Sequence, residues 1–333
     1  MPLHKPRTIN LTSVAQLNKL PTKQVFSGIY RIGEINTNSK LNTSKILNID
    51  LHDATAFQVG QCESSLLNWL PTKLYQLVQV KGYVEHTTST VQILEIEPFV
   101  GMENINVLQN LPRILCADSI WLDRLINVRK GIESPSLGRF VDTLFSDDEI
   151  AFSFLQVPAS SKFHHNQIGG LLSHSVEAAE ITYGLDYANE GLRDIASVAA
   201  LLHDIGKVRT LGNNLKSTTI GKMVGHDSLT LEICANALKE LDQAWSDAAL
   251  TLRHIWTCAS AGAKYGFESN STLATKVQYA DRLSVARFYD KQIFKASNKT
   301  KGLAWDGKKY FWRPSDEVLN NERSRLCVIP NLR

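Results

Sequence analysis

The stretch Arg193-Asp194-Ile195-Ala196-Ser197-Val198-Ala199-Ala200-Leu201-Leu202-His203-Asp204-Ile205-Gly206-Lys207 decides how this chain is read. Its apolar residues Ile195, Val198, Ala199 and Leu202 recur at i, i+3, i+4 and i+7, the spacing of one buried helical face. Adjacent side chains diverge by about 100° on a helix, so His203 and Asp204 reach one ion only by flanking it near the helix end. The pair has company. His174 lies on the preceding helical stretch, His226 and His254 lie on later ones, and Asp281 stands in Tyr279-Ala280-Asp281-Arg282. Imidazoles with carboxylates suit Mn, Fe or Zn, and such ligands assemble where helices of a bundle face inward. Helical spacing also predicts helices over 172–183, 227–241, 246–260 and 271–289, so the second half of the chain is expected to be all-α.

These positions resemble the H…HD…D signature of the HD phosphohydrolase superfamily: His174, His203-Asp204 and Asp281 stand in order, about 30 and 80 residues apart. The resemblance implies that these four hold one divalent metal and that Asp204 bridges to a second, with His226 and His254 as further ligands. It implies Mn as the metal, with Fe, Zn, Ni, Co or Mg as alternatives and one or two ions in the site. Phe154 to Glu177, with its Pro158-Ala159, its His164-His165 pair and Gly169-Gly170-Leu171-Leu172 before His174, is similar to the segment that introduces the HD domain in the YhaM family of 3′→5′ exoribonucleases. That family also carries an N-terminal OB-fold. The resemblance runs from about residue 20 to about 290 in the same domain order. It departs after His254, where the family continues with His-His-Gly and Gly-Ser-Pro while this chain places Ala259 and Ser260 at the His pair. The second ion then rests on Asp204, His226 and His254, and a one-metal enzyme or a loss of catalysis are the alternatives.

The activity implied is hydrolysis of a phosphodiester by metal-activated water, with Asp204 and Lys207 as the catalytic residues. Lys207 is placed to bind a phosphate oxygen or assist the leaving oxygen; its plain alternative is a solvated helix-end lysine favoured by the helix dipole. His164 and His165 are expected at the rim as substrate contacts, or else as residues that cap and orient the first helix.

Upstream, residues 25–99 alternate β-rich runs with polar turns: 28–35, 45–51, 56–62, 77–85 and 90–98. Five short strands at this spacing predict a small closed or Greek-key barrel. Leu47, Ile49 and Leu51 against Ile46, Asn48 and Asp50 show the period of two expected of a strand with one wet face. A short helix over Ser64 to Leu70, between the third and fourth strands, fits an OB-fold; another small antiparallel barrel, such as an SH3-like one, is the alternative. Tyr30, Arg31, Phe57, Lys81 and Tyr83 are the barrel's candidates for contact with single strands through stacking and charge, and Phe26 and Trp69 are assigned to its core.

With 333 residues the chain is about twice the usual domain length. The expected division is an OB-fold over 20–100, a helical connector over 101–150, the HD domain over 151–290 and a basic extension over 291–333. A hydrophobic fraction of 43% and a charged fraction of 21% exclude a disordered or collagen-like chain. Five scattered cysteines with no CxxC pair argue against a disulfide framework and a zinc ribbon. The absence of an apolar leader or a spanning run leads to an expected cytoplasmic location without membrane association. The net charge of +3 hides a polarity: from Arg282 onward twelve basic residues face five acidic ones, leaving the rest near −4. Tyr310, Phe311 and Trp312 among those charges read either as a surface for nucleic acid or as a C-terminal hairpin packed on the helices. Single-stranded nucleic acid is the expected partner, RNA before DNA, and a homo-oligomer is compatible with the resemblance. The competing functions are hydrolysis of a nucleotide or cyclic dinucleotide, and non-catalytic nucleic-acid binding in a mobile-element DNA-processing system.

Overall fold

A computed structural model describes residues 12–37, 46–69, 71–87, 90–101, 105–258 and 267–315. Ala259, Ser260, Cys327 and the basic residues Arg323, Arg325 and Arg333 lie outside them. A single helical turn, α1 (Val14–Leu17), precedes β1 (Val25–Thr37), β2 (Ile46–His52), β3 (Phe57–Glu63), β4 (Leu77–Glu85) and β5 (Thr90–Pro98). The five strands close into a barrel in the order β1-β2-β3-β5-β4. Closure depends on β1, which pairs with β4 through its first half and with β2 through its second. The register shifts between Ile32 and Ile35, and this bulge bends the strand where it changes partners. β3 and β5 seal the seam in parallel, Gly60 opposite Val91 and Gln61 opposite Gln92.

The alternation read in β2 is the observed one: Leu47, Ile49 and Leu51 are buried inside with Phe26, Val78, Val80, Val91, Ile93 and Ile96. Each such side chain contributes about 1.5–3 kcal/mol by leaving water. The turn of helix between β3 and β4 is only a 3-10 turn, Ser64–Leu66. Trp69 is partly buried and donates from Nε1 to the Ile96 carbonyl at 3.3 Å.

Two expectations for the barrel are corrected. Tyr30 and Arg31 are 0% exposed and cannot meet a ligand. Tyr30 lies among the core residues and its hydroxyl donates to the Thr12 carbonyl at 2.7 Å. Arg31 points towards the helices, where Nε donates to the Asn110 carbonyl at 2.8 Å, Nη1 donates to the Tyr75 carbonyl at 2.9 Å, and Nη2 lies 2.8 Å from Asp148. Adjacent strand residues face opposite sides, and here both sides are covered: one by the barrel's own core, the other by the neighbouring helices.

The helices are α2 (Ile120–Gly131), α3 (Pro135–Phe145), α4 (Asp148–Gln156), α5 (Gly170–Tyr183), α6 (Glu190–Leu202), α7 (Lys207–Thr210), α8 (His226–Thr257) and α9 (Thr272–Ala296). α6 starts where Asn189 accepts the Leu192 amide, and α9 starts where Ser271 accepts that of Leu273, side-chain caps for otherwise unpaired N–H groups. Every residue of α6 from Asp194 to Leu202 is buried, so its apolar stripe is only the most regular part of a helix enclosed on all sides. The two stretches expected over 227–241 and 246–260 are one element, α8, broken by a non-helical residue at Trp245. Its second half is fastened to α6 by Trp256, whose indole N–H donates to the Ala199 carbonyl at 3.0 Å. A hairpin, β6 (Gly302–Trp305) with β7 (Tyr310–Arg313), follows α9. The four described cysteines are free, and no described helix is long and apolar enough to cross a membrane.

Candidate metal centre

Three elements bring the signature residues together: α5 carries His174, the turn after α6 carries His203 and Asp204, and α9 carries Asp281. Ligand atoms of His174, His203 and Asp281 all lie within 4.8 Å of one another. His174 Nε2 is 3.2 Å from Asp281 Oδ1 and 3.5 Å from Asp204 Oδ2, and His203 Nε2 is 3.3 Å from the same Asp204 oxygen. Both Nε2 atoms are buried without a hydrogen-bond partner, although carboxylates stand this close. Ligands about 2.0–2.2 Å from a common ion are separated by roughly 3.0–3.5 Å, so these residues fit a divalent metal.

The opposite ring nitrogens show why Nε2 is the atom presented. His203 Nδ1 lies 2.7 Å from the Ala200 carbonyl, which can only accept, so Nδ1 carries the proton. His174 Nδ1 lies 3.0 Å from Ser284 Oγ, and that hydroxyl donates onward to Glu177 at 2.8 Å. Ser284 therefore accepts from His174 and passes the bond to a buried carboxylate, an orienting relay of the kind metal-bound histidines use. Sequence reading missed Ser284 and Glu177, although each lies three residues beyond a signature residue on its own helix and so shares its face. Ser284→Ala is expected to lower divalent-metal affinity by about 10–100-fold, read by titration calorimetry with Mn, while Ser284→Thr restores it; unchanged affinity in the Ala variant would refute the relay.

Asp204 is the hinge of the cluster. Its Oδ2 lies 2.5 Å from Lys207 Nζ, and its Oδ1 lies 3.1 Å from His226 Nε2. Burial pushes its carboxyl up, but the charges of His203 and Lys207 outweigh burial and hold it well below the usual range. Burial likewise opposes charge on His203, yet Asp204 and Asp281 raise that imidazole to about 9, which marks a place built to hold a positive charge. Gly206 permits the arrangement, because a Cβ there would lie 2.0 Å from the His226 carbonyl oxygen. Its amide instead donates to Thr230 at 3.1 Å, locking the turn against the start of α8.

His226 also touches Asp227, 3.2 Å away, an acid that sequence reading did not single out. His254 does not join them: its Nε2 accepts the Asn270 amide at 3.3 Å. The residues around His203, Asp204, His226, Asp227 and Asp281 enclose a cavity of about 510 Å³. Phe57 is exposed and stacks on His52, Lys81 is exposed and pairs with Glu95 at 2.7 Å, and Tyr83 is half-buried.

His164 and His165 extend the cluster, their ring centroids 5.4 and 5.2 Å from that of His174. His165 is buried, with Nδ1 3.1 Å from Ser173 Oγ and its ring 4.5 Å from Phe288. The loop that carries it crosses Gly170 so closely that a Cβ there would lie 1.9 Å from the His165 carbonyl oxygen. Burial, with His174 and His164 beside it, pushes the His165 imidazole down to about 3. The unfolded imidazole titrates near 6.5, so below that pH the unfolded chain binds a proton the folded chain refuses. Stability is therefore expected to fall as pH drops from 6.5, by about 2 kcal/mol from this residue at pH 5. Urea unfolding in chelator at several pH values checks this; His165→Asn should flatten the slope, and an unchanged slope would contradict it.

Residues 171–286, which carry His174, His203, Asp204 and Asp281, match the HD domain family. Among this chain's relatives are 3′-5′ exoribonucleases called YhaM. The chain is 27% identical to that of Bacillus subtilis over 195 residues, 57% of this chain and 61% of that protein. It is 27% identical to that of Oceanobacillus iheyensis over 253 residues, 72% and 77% of the two chains. With that of Shouchella clausii it shares 29% identity over 184 residues, 54% and 57% of the two chains. The chain thus spans about six tenths of the length of the Bacillus subtilis relative.

Proposed function

We propose that this chain is a metal-dependent 3′→5′ exonuclease that degrades single-stranded RNA. The observation that carries the reading is the convergence of His174, His203, Asp204 and Asp281, two of them with buried Nε2 atoms that no hydrogen bond satisfies, inside a region matching the HD domain. Those four would hold the first ion, with Mn as the metal we propose, and Asp204 with His226 would hold a second. When bound, such an ion acidifies water to give a nucleophile near neutral pH and offsets the charge on a phosphodiester. Lys207, pinned 2.5 Å from Asp204, is the cation available to a phosphate oxygen of the substrate. His164, half-buried beside His174, is the one of the pair we propose for substrate contact, whereas His165, expected at the rim, is buried against Ser173 and Phe288 and orients the start of α5 instead. RNA and the 3′→5′ direction come from the names of the relatives.

The strand order β1-β2-β3-β5-β4 of a closed five-stranded barrel supports an OB-fold over about 20–100, joined by a helical connector over 101–150 to an HD domain over 151–290 and a basic extension beyond. Phe57, Lys81 and Tyr83 remain the barrel positions we propose for strand contact. Free cysteines fit a reducing cytoplasm.

The test incubates 5′-labelled RNA and DNA strands with Mn, Mg or chelator. A progressively shortening 5′-labelled ladder, lost in chelator, is expected for RNA. Hydrolysis of small nucleotides with every polymer left intact would replace this reading with that of a nucleotide phosphohydrolase.

A further inference from the structure

The hairpin β6–β7 has two unlike faces. Its turn is built by Asp306, whose carboxylate accepts the Lys308 and Lys309 amides at 2.7 Å each, and by Gly307 at a φ of 96°. On the inner face, Ala304 and Phe311 pack with Ile293 and Phe294 at the end of α9. Arg313 clamps that face, with its guanidinium 4.0 Å from the Phe294 ring centre and Nη2 2.5 Å from Asp290. The hairpin is therefore fastened to α9, the helix that carries Asp281.

On the outer face the cross-strand pairs are Leu303 with Trp312 and Trp305 with Tyr310, the last two with ring centres 4.7 Å apart. Trp305 is 52% exposed, and Tyr310 and Trp312 are each 67% exposed. Seven basic residues and a single acid, Asp306, lie between 291 and 315. Lys299 and Arg313 are engaged within the protein, Lys291 lies 4.0 Å from Glu177 and Lys309 lies 4.9 Å over the Phe311 ring, while Lys295, Lys301 and Lys308 are exposed. From Asp281 to Ala296 the helix rises about 22 Å.

We infer that this outer face is a stacking platform for single-stranded RNA, which holds the strand one helix-length away from the metal centre. The inference rests on the exonuclease reading only for the choice of RNA as occupant. Aromatic rings on a sheet, framed by cations, offer bases a sequence-independent surface and phosphates a counter-charge. A second copy of the chain fits less well. Four half-exposed side chains cover at most a few hundred Å², short of the roughly 800 Å² per partner of a stable interface, and two such faces would bring like charges together.

The experiment measures binding of 5′-fluorescein oligo(U) of 4 and 20 nucleotides to the full chain in chelator, where strands are bound without being cut. Trp305→Ala/Trp312→Ala is expected to weaken binding of the 20-mer roughly tenfold or more and that of the 4-mer less than twofold. Trp312→Phe should retain affinity, and thermal melting of each variant reports whether the fold is kept. Lys301→Gln/Lys308→Gln should lower the slope of log K against log salt by about 1.4. Unchanged 20-mer affinity, an equal loss for both lengths, a wild-type chain that binds neither strand, or variants that only dissociate an oligomer in sedimentation would each overturn the platform. Length-dependent binding through the tryptophans without hydrolysis under any metal would leave the platform standing and sink the exonuclease reading. Hydrolysis with unaltered binding in the variants would do the reverse.

Discussion

Asp204→Asn is expected to lower RNA hydrolysis by at least about a thousandfold, the scale on which a preorganised electrostatic group in a water-poor site acts. The reason is the number of partners one carboxylate serves. Its Oδ2 stands 3.5, 3.3 and 2.5 Å from His174, His203 and Lys207, and its Oδ1 stands 3.1 Å from His226. An amide keeps the shape but removes the charge, so metal affinity, the placement of Lys207 and any second ion on His226 weaken together. Initial rates on labelled RNA, with Mn content measured on the same samples, check this. A variant that keeps Mn and a rate within tenfold of wild type would show that Asp204 is not central. His254→Ala is the contrast, because the His254 contact is with Asn270 and not with the carboxylate cluster.

Arg31→Ala should cost about 3–5 kcal/mol of stability, the scale of lost buried hydrogen bonds from a charged donor together with the cavity left by a large buried side chain. The guanidinium is completely buried and makes two backbone hydrogen bonds, an ion pair with Asp148 and a contact 4.9 Å over the Phe152 ring. Its removal leaves the Asn110 and Tyr75 carbonyls without these donors and opens a cavity at the junction of the barrel and α4. Asp148 keeps Lys73 at 2.6 Å, so the loss falls mostly on the arginine's own bonds and packing. Urea unfolding followed separately by tryptophan fluorescence and circular dichroism reads the effect, and a cycle with Asp148→Ala isolates the pair. A loss under about 1 kcal/mol would mean that water replaces the arginine without penalty.

The contrast between Asp204 and Arg31 marks what was legible in the linear chain. The period-two run in β2 and the 3.6-residue spacing of α6 survive folding because each element's buried face is repeated locally along the chain. The signature residues could be recognised because their order and spacing along the chain resemble the H…HD…D pattern.

What each side chain faces depends on a neighbour that no local pattern contains. Arg31 reads as an exposed cation on a strand, and only the approach of α4 and the Asn110 segment covers it. His226 and His254 look alike in sequence, yet only the residue at the start of α8 meets Asp204, because Gly206 lets the two backbones touch. Ser284 becomes an orienting group for His174 only when α9 lies against α5. By itself the sequence determined the five strands and the helical character of the second half, the ligand chemistry and the split of charge between body and tail. Only the tertiary structure decided which histidines share an ion, which basic residue is buried and which face of the hairpin stays in water, since each of these is settled by contacts between segments distant along the chain.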